Sequence, residues 1–386
     1  MAANWERYLE RWVNAGLIDA GTAASIRTYE TAKVKAQRLG WPVLFAISLG
    51  GVLLAAGILL LVAAHWDKLS PAARFTLVLA LVALMHVAGA IVSTRFTILS
   101  TVLHAVGTIC LGAGIFLAGQ IFHLQEHWPL GVMLWASGAW VAWAILHDWP
   151  QAALAAVLTP AWLAGEWTEA TRGLAGGETI LAAGLLSLAI TYLTALLPDR
   201  RTSVSIALAW IGGLTLIPAV AAVIQSSIFA GGFGRLLPLP WSYHLVGWAA
   251  AFLLPVTLAW RLRGKYVWWN VIAALWVGAL SATSLRSHPY SSPSAYSLNQ
   301  LLQYVICALG SVGLIAWGLK EARKERVNLG IVGFALTVLF FYFSTVMDKL
   351  GRSASLIGMG LLFLLGGWLL EKTRRRLLLR IEKGKE

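Results

Sequence analysis

The chain has 386 residues, of which 59% are hydrophobic and 12% charged, with a mean hydropathy of +0.73. A soluble domain carries about a quarter charged residues, so this composition excludes a soluble globular protein and points to one integral to a membrane. The formal net charge of +13 does not point to nucleic acid, because the basic residues sit at the ends and between apolar runs, where topology and anionic lipid headgroups account for them.

Residues 1–40 read as a short cytosolic helical hairpin. Trp5, Tyr8, Leu9, Trp12 and Val13 recur at helical spacing, "NAGLIDAG" supplies a turn, and Ala23, Ala24, Ile26, Tyr29 and Val34 form a second apolar stripe. The amphipathic character of this opening argues against a cleaved signal peptide. Two helices this short bury little core alone, so the hairpin is expected to cap the membrane domain or lie at the lipid surface. The functional alternative is a docking module for a protein partner, through Trp5, Trp12, Ile26, Tyr29 and Glu30.

A transmembrane domain is expected over 41–371 and a basic cytosolic tail over 372–386. Twelve spans fit the uncharged apolar runs, near 42–64, 74–94, 98–121, 130–147, 150–166, 177–197, 203–224, 243–260, 267–285, 300–319, 328–347 and 353–371. The turn "HDWPQ" between the fourth and fifth is very short and the fifth contains Pro160, so these two are the most open to tilting, kinking or re-entrance. With the N-terminus inside, all but seven of the 30 Lys and Arg residues fall in inner segments such as "RLRGK" at 261–265 and "KEARKER" at 320–326. That bias supports an even number of spans with both termini in the cytoplasm. Asp-Lys-Leu recurs at 67–69 and 348–350, and is read as local helix-end chemistry rather than duplication.

Polar side chains within or beside spans are the functional candidates, because they are costly in hydrocarbon unless paired or facing a cavity. His65, Asp67, His86, His104, Gln120 and His123 form the set. They could line a polar pathway, with histidine suited to proton relay, or make hydrogen bonds between helices. The tract "GQIFHLQEHWP" at 119–129 places two histidines and a carboxylate together, but it lacks the HExxH arrangement and a third fixed ligand, so no metal is expected there. Glu126 and His127 are read as solvated loop residues. Cys110 and Cys307 are read as small buried apolar residues. No phosphate loop, dinucleotide fingerprint or nucleophile elbow occurs, no cofactor is expected, and the glycines of "LGAGIFLAG" are read as helix-packing positions.

Several of these residues carry a resemblance. Trp12, Gly16, Leu17, Ile18, Asp19, Ala23, Ile26, Tyr29 and Glu30, the segment Gly119 to Leu124, and the late "DKLGRS" tract resemble a bacterial family of predicted polytopic membrane proteins known as domain of unknown function 2157. The resemblance implies a multi-pass protein of a bacterial inner membrane and brings no substrate, reaction or residue role. Phe122 stands where the family also has Tyr.

The expected fold is therefore an all-α transmembrane bundle of about twelve spans with a small cytosolic hairpin. The leading functional expectation is a transporter or permease, with discontinuous helices around Pro160 or Pro218 contributing to a pathway. Without an acidic ion-coupling residue in mid-membrane, the fitting cargo is a neutral or lipid-like solute. A non-catalytic scaffold or sensor working through the hairpin is the second expectation, and a membrane enzyme the third. Membrane lipids are the expected partners in every case.

Overall fold

The fold is given by a computed structural model, which describes residues 11–37, 70–121, 127–197, 202–229, 237–286 and 293–346, with Leu9 and isolated positions within 45–60 and at 360 and 364. The expected spans 42–64 and 353–371 and the tail 372–386 lie outside the described stretches. Apart from one two-residue parallel bridge, in which Leu174 pairs with Leu237 and Ala175 with Pro238, the described elements are helical.

The chain divides into two units, Met1–Ile121 and Phe122–Glu386. The first holds α1 (Ala20–Gln37), α2 (Pro71–Val92) and α3 (Thr97–Ile121). The second holds α4 (Pro129–Leu146), α5 (Trp149–Ala170), α6 (Gly177–Leu193), α7 (Ser203–Phe229), α8 (Trp241–Arg263), α9 (Trp268–Arg286), α10 (Pro293–Lys320) and α11 (Lys324–Phe341). Helices α2 to α11 fall where the second to eleventh spans are expected. Seven helical stretches among the described residues are long and apolar enough to cross a membrane, one of them the 45-residue run Trp241–Leu285. Helix α5, which carries Gln151, Glu166 and Glu169, and α6, only 17 residues long, lie outside that set. The chain is a multi-pass membrane protein.

Local chemistry sets the helix boundaries. Ser70 caps α2 by accepting the Ala73 N–H at 3.3 Å, with Pro71 as the first helical residue. Proline also opens α4 at Pro129, and Pro150 stands in the first turn of α5. Gly176, at φ 96°, turns the chain into α6, and Gly264, at φ 56°, ends α8.

Prolines also lie inside α5, α7 and α8, at Pro160, Pro218 and Pro255. None of them interrupts its helix, so the discontinuous helices expected around Pro160 and Pro218 are continuous. Around Pro160 the reason is visible: the ring removes the donor that would bond the Ala156 carbonyl, and the Tyr192 hydroxyl donates to that oxygen at 2.8 Å instead.

Helix α6 is the centre of the second unit. Leu186, Ala189 and Leu193 pack with Leu216, Ala219 and Val223 of α7 and with Val277 and Leu280 of α9. A helix apolar all round belongs in an interior. Two threonine hydroxyls on it are tied to neighbouring helices, Thr179 to Ser226 at 3.0 Å and Thr191 to the Pro255 carbonyl at 3.2 Å.

Candidate functional site

Of the residues singled out from the sequence, His86 and His104 are brought together. They face each other across α2 and α3 with their Nδ1 atoms 3.0 Å apart and ring centroids 5.3 Å apart. His104 is buried and His86 half-buried. His65, Asp67, His123 and Trp5 lie outside the described residues, as do the side chains of Gln120 and Glu30. Near the N-terminus, Trp12 and Tyr29 are exposed, Ile26 is half-buried, and Leu9 and Ala23 are buried.

Each histidine is followed three residues later by glycine, in "HVAG" at 86–89 and "HAVG" at 104–107. The two helices are antiparallel, so each ring lies over the other helix's glycine. A Cβ added at Gly107 would stand 2.8 Å from His86 Nε2, and one at Gly89 would stand 2.9 Å from His104 Nε2. The glycines are what admit two imidazoles into this interface. The doubled spacing was the available sequence signal, and it acquires meaning only once the helices pair.

In the second unit, α5, α6 and α8 bound a groove of ≈ 990 Å³, at the top of the ~300–1,000 Å³ range usual for small-molecule sites. Its floor is α6, with Leu181, Gly184 and Leu188, and its walls include Leu163 of α5 and Val246 and Leu254 of α8. Along α8 it runs from Ser242 to Leu262, about 30 Å at helical rise and therefore comparable with a hydrocarbon core. The lining is almost wholly apolar. Glu166, Ser242 and Tyr243 stand toward one end and Tyr192 toward the other, while the Thr159 hydroxyl is engaged by Trp140 Nε1 at 3.0 Å.

At the Glu166 end, His127 Nε2 lies 2.9 Å from the Glu166 carboxylate, which also accepts from Trp162 Nε1 at 2.9 Å. Glu169 beside it accepts from Trp128 Nε1 at 2.7 Å and from Arg172 at 2.6 Å. His127, expected to be a solvated loop residue, is exposed but bonded.

The opposite end of this unit holds a buried charge knot. Glu321, in the turn after α10, accepts from Arg263 at 2.5 Å, from Arg326 at 2.5 Å and from Trp317 Nε1 at 2.6 Å. Both arginines also donate to carbonyls past the end of α6: Arg263 to Thr194, and Arg326 to Leu196 at 3.2 Å. The surplus positive charge thus meets the negative pole of α6 and its orphan carbonyls. Trp317 lies under both guanidiniums, 5.1 and 5.4 Å from ring centre to Cζ, and stacks on Trp269.

The sequence placed these charges in "RLRGK" and "KEARKER" as anchors at the membrane face. Arg263, Glu321, Arg323 and Arg326 are instead buried. The two carboxylates Glu321 and Glu325 inside a basic segment were the local hint, and nothing in the sequence singles out Glu321 between them. Ala322 beside it has φ 52°, a left-handed conformation that costs a Cβ-bearing residue roughly 1–2 kcal/mol and that turns Glu321 inward.

Burial opposes ionisation of Glu321, but the Arg326 guanidinium, Trp317 and Arg263 outweigh it and hold the carboxyl below its ordinary value of 4.5. A depressed carboxylate contributes stability above its unfolded value and loses it as pH falls through the folded one. Unfolding followed from neutral pH downward should therefore show a loss of stability that sets in as pH enters the ordinary carboxylate range and is complete below the folded value. The loss should be absent in Glu321→Gln; an identical acid profile in both proteins would contradict the assignment.

Among the described residues, no group of three or more His, Cys, Asp or Glu side chains could hold a metal ion. Residues 10–151 match the sequence profile of a family described as "Predicted membrane protein (DUF2157)". No curated protein and no solved structure matches the chain.

Proposed function

We propose that the protein is a permease-like membrane protein for long-chain, lipid-like amphiphiles, moving them down their gradients without a coupling ion. The observation that carries this reading is the groove along α5, α6 and α8, as long as a hydrocarbon core is thick and nearly without polar lining. A surface of this kind along α8, which lies in a membrane-crossing run, is within reach of acyl chains, so an alkyl chain is the occupant its chemistry fits. Lipid is as apolar as the groove, so burial alone drives no binding, and selection rests on shape and on the polar groups near the ends. With Glu166 and Tyr192 at opposite ends and no ionisable side chain between them on the lining, the middle of the path offers nothing to carry a proton or cation with the cargo.

The test is purified protein in liposomes containing a head-labelled fluorescent phospholipid, with an external reductant that bleaches only the outer leaflet. Bleaching of the protected inner-leaflet pool should depend on the protein. It should fall severalfold in Ala250→Phe, where a ring would fill the groove from α8, provided the variant elutes and melts like the parent. A folded parent that leaves the inner pool protected, for this probe and for a labelled long-chain alcohol, would sink the proposal.

A further inference from the structure

We infer that His86 and His104 form a proton-binding site in the first unit that takes up one proton per pair, the resulting charge strengthening the hydrogen bond between the two rings. The inference is independent of the groove and of any transport activity. Two Nδ1 atoms 3.0 Å apart are at hydrogen-bonding distance, and that contact dictates the tautomers. One ring must carry its proton on Nδ1 and donate it; the other must offer a bare Nδ1 and therefore keep its own proton on Nε2.

The proton balance follows. An added proton goes to the free Nε2 of the donating ring, which becomes an imidazolium, and the Nδ1–H···Nδ1 bond gains charge assistance. No existing bond breaks. A second added proton could go only to the shared Nδ1 of the other ring, setting two N–H groups and two positive charges against each other, so the rings would have to part. The pair is thus a site of capacity one, and its first protonation tightens the α2–α3 contact.

Two imidazole nitrogens on one tetrahedral zinc would stand about 3.3 Å apart at bond lengths of ~2.0–2.1 Å, but no third ligand joins this pair among the described residues. No other charged side chain lies within α2 or α3 near the pair. Arg74 is close to the far end of α2, Arg95 is in the turn between the helices, and the titratable Cys110 packs with Met85 and Val106. Among the described residues, charge on the site is therefore governed by the two rings themselves.

The experiment is nitrogen NMR on the full chain labelled with 15N-histidine in lipid nanodiscs, titrated across about pH 5–8, where imidazole ordinarily changes charge. His86→Gln and His104→Gln identify the two signals. The wild-type protein should show 15N–15N coupling through the hydrogen bond between the two Nδ1 atoms and a single protonation step shared by both rings. His104→Gln should leave His86 to titrate in a step of its own, without the coupling. Gly107→Ala, whose methyl group would displace the His86 ring, should abolish the coupling. Gly313→Ala, with nothing within 4 Å of the added methyl group, should preserve it. Independent titration of the two rings in wild type, coupling that survives Gly107→Ala, or displacement of both Nδ1 signals by stoichiometric Zn²⁺ or Ag⁺ would overturn the inference.

Discussion

Replacing Glu321 with glutamine is expected to cost the second unit about 3–5 kcal/mol, the range for breaking a buried ion pair by removing one partner. The loss comes chiefly from what remains. Arg263 and Arg326 have side chains 0% and 2% exposed, and without the carboxylate they would face each other with no counter-charge, left to the carbonyls beyond α6 and the Trp317 ring. Five segments meet at that point: the end of α6, the end of α8, the start of α9 through Trp269, the end of α10 and the start of α11. Their junction should loosen together, giving lower and less cooperative unfolding in detergent. The matched control is Glu169→Gln, at a pair whose arginine is 73% exposed. Such surface pairs contribute roughly 0–1 kcal/mol, so a comparable loss at the two positions would contradict the account of the knot.

Alanine at Gly212 is expected to destabilise the protein by about 3 kcal/mol, the upper part of the range for overpacking, whereas alanine at the adjacent Gly213 should be neutral or stabilising. A Cβ at Gly212 would enter the space of the Leu193 N–H and the Ala189 carbonyl, which are backbone of α6 and cannot rotate away. Helices α6 and α7 would have to separate along their whole contact. At Gly213 the nearest atoms are Leu329 Cδ1 and Leu193 Cδ1, at 3.6 and 3.8 Å, an ordinary contact. There the helix-propensity gain of about 0.5–1 kcal/mol should stand unopposed. Thermal unfolding of the two variants side by side decides the matter; equal effects at both positions would mean that α6 and α7 do not approach as closely as described.

These two cases show where sequence patterning stops being informative. "IGG" at 211–213 contains two glycines with the same local environment in sequence, and only the angular position of each on α7 relative to α6 separates a close contact from an open one. The charges of "KEARKER" carry the same ambiguity. A basic segment between apolar runs satisfies the topology rule whether its side chains spread over headgroups or turn inward. What turns Arg326 inward is the set of carbonyls at Thr194 and Leu196, more than a hundred residues earlier in the chain. His86 and His104 were legible as polar groups that needed a partner. That they partner each other follows from the tight turn at 93–96 and from the two glycines that let the rings cross.

By itself, the sequence determined the solvent and the element type. Uncharged runs as long as a hydrocarbon core is thick require backbone hydrogen bonds to close within each segment, so a multi-pass helical protein follows from composition and spacing. Its helix boundaries follow largely from local proline, serine and glycine chemistry. Tertiary structure decided which polar groups were exposed, which were paired and where the surface was left concave. In a chain where nearly every helix is apolar on all sides, hydropathy no longer separates the face that meets lipid from the face that meets protein. Close approach at glycines, carbonyls left open at helix ends and the stacking order around α6 make that distinction, and each is a relation between segments distant in sequence.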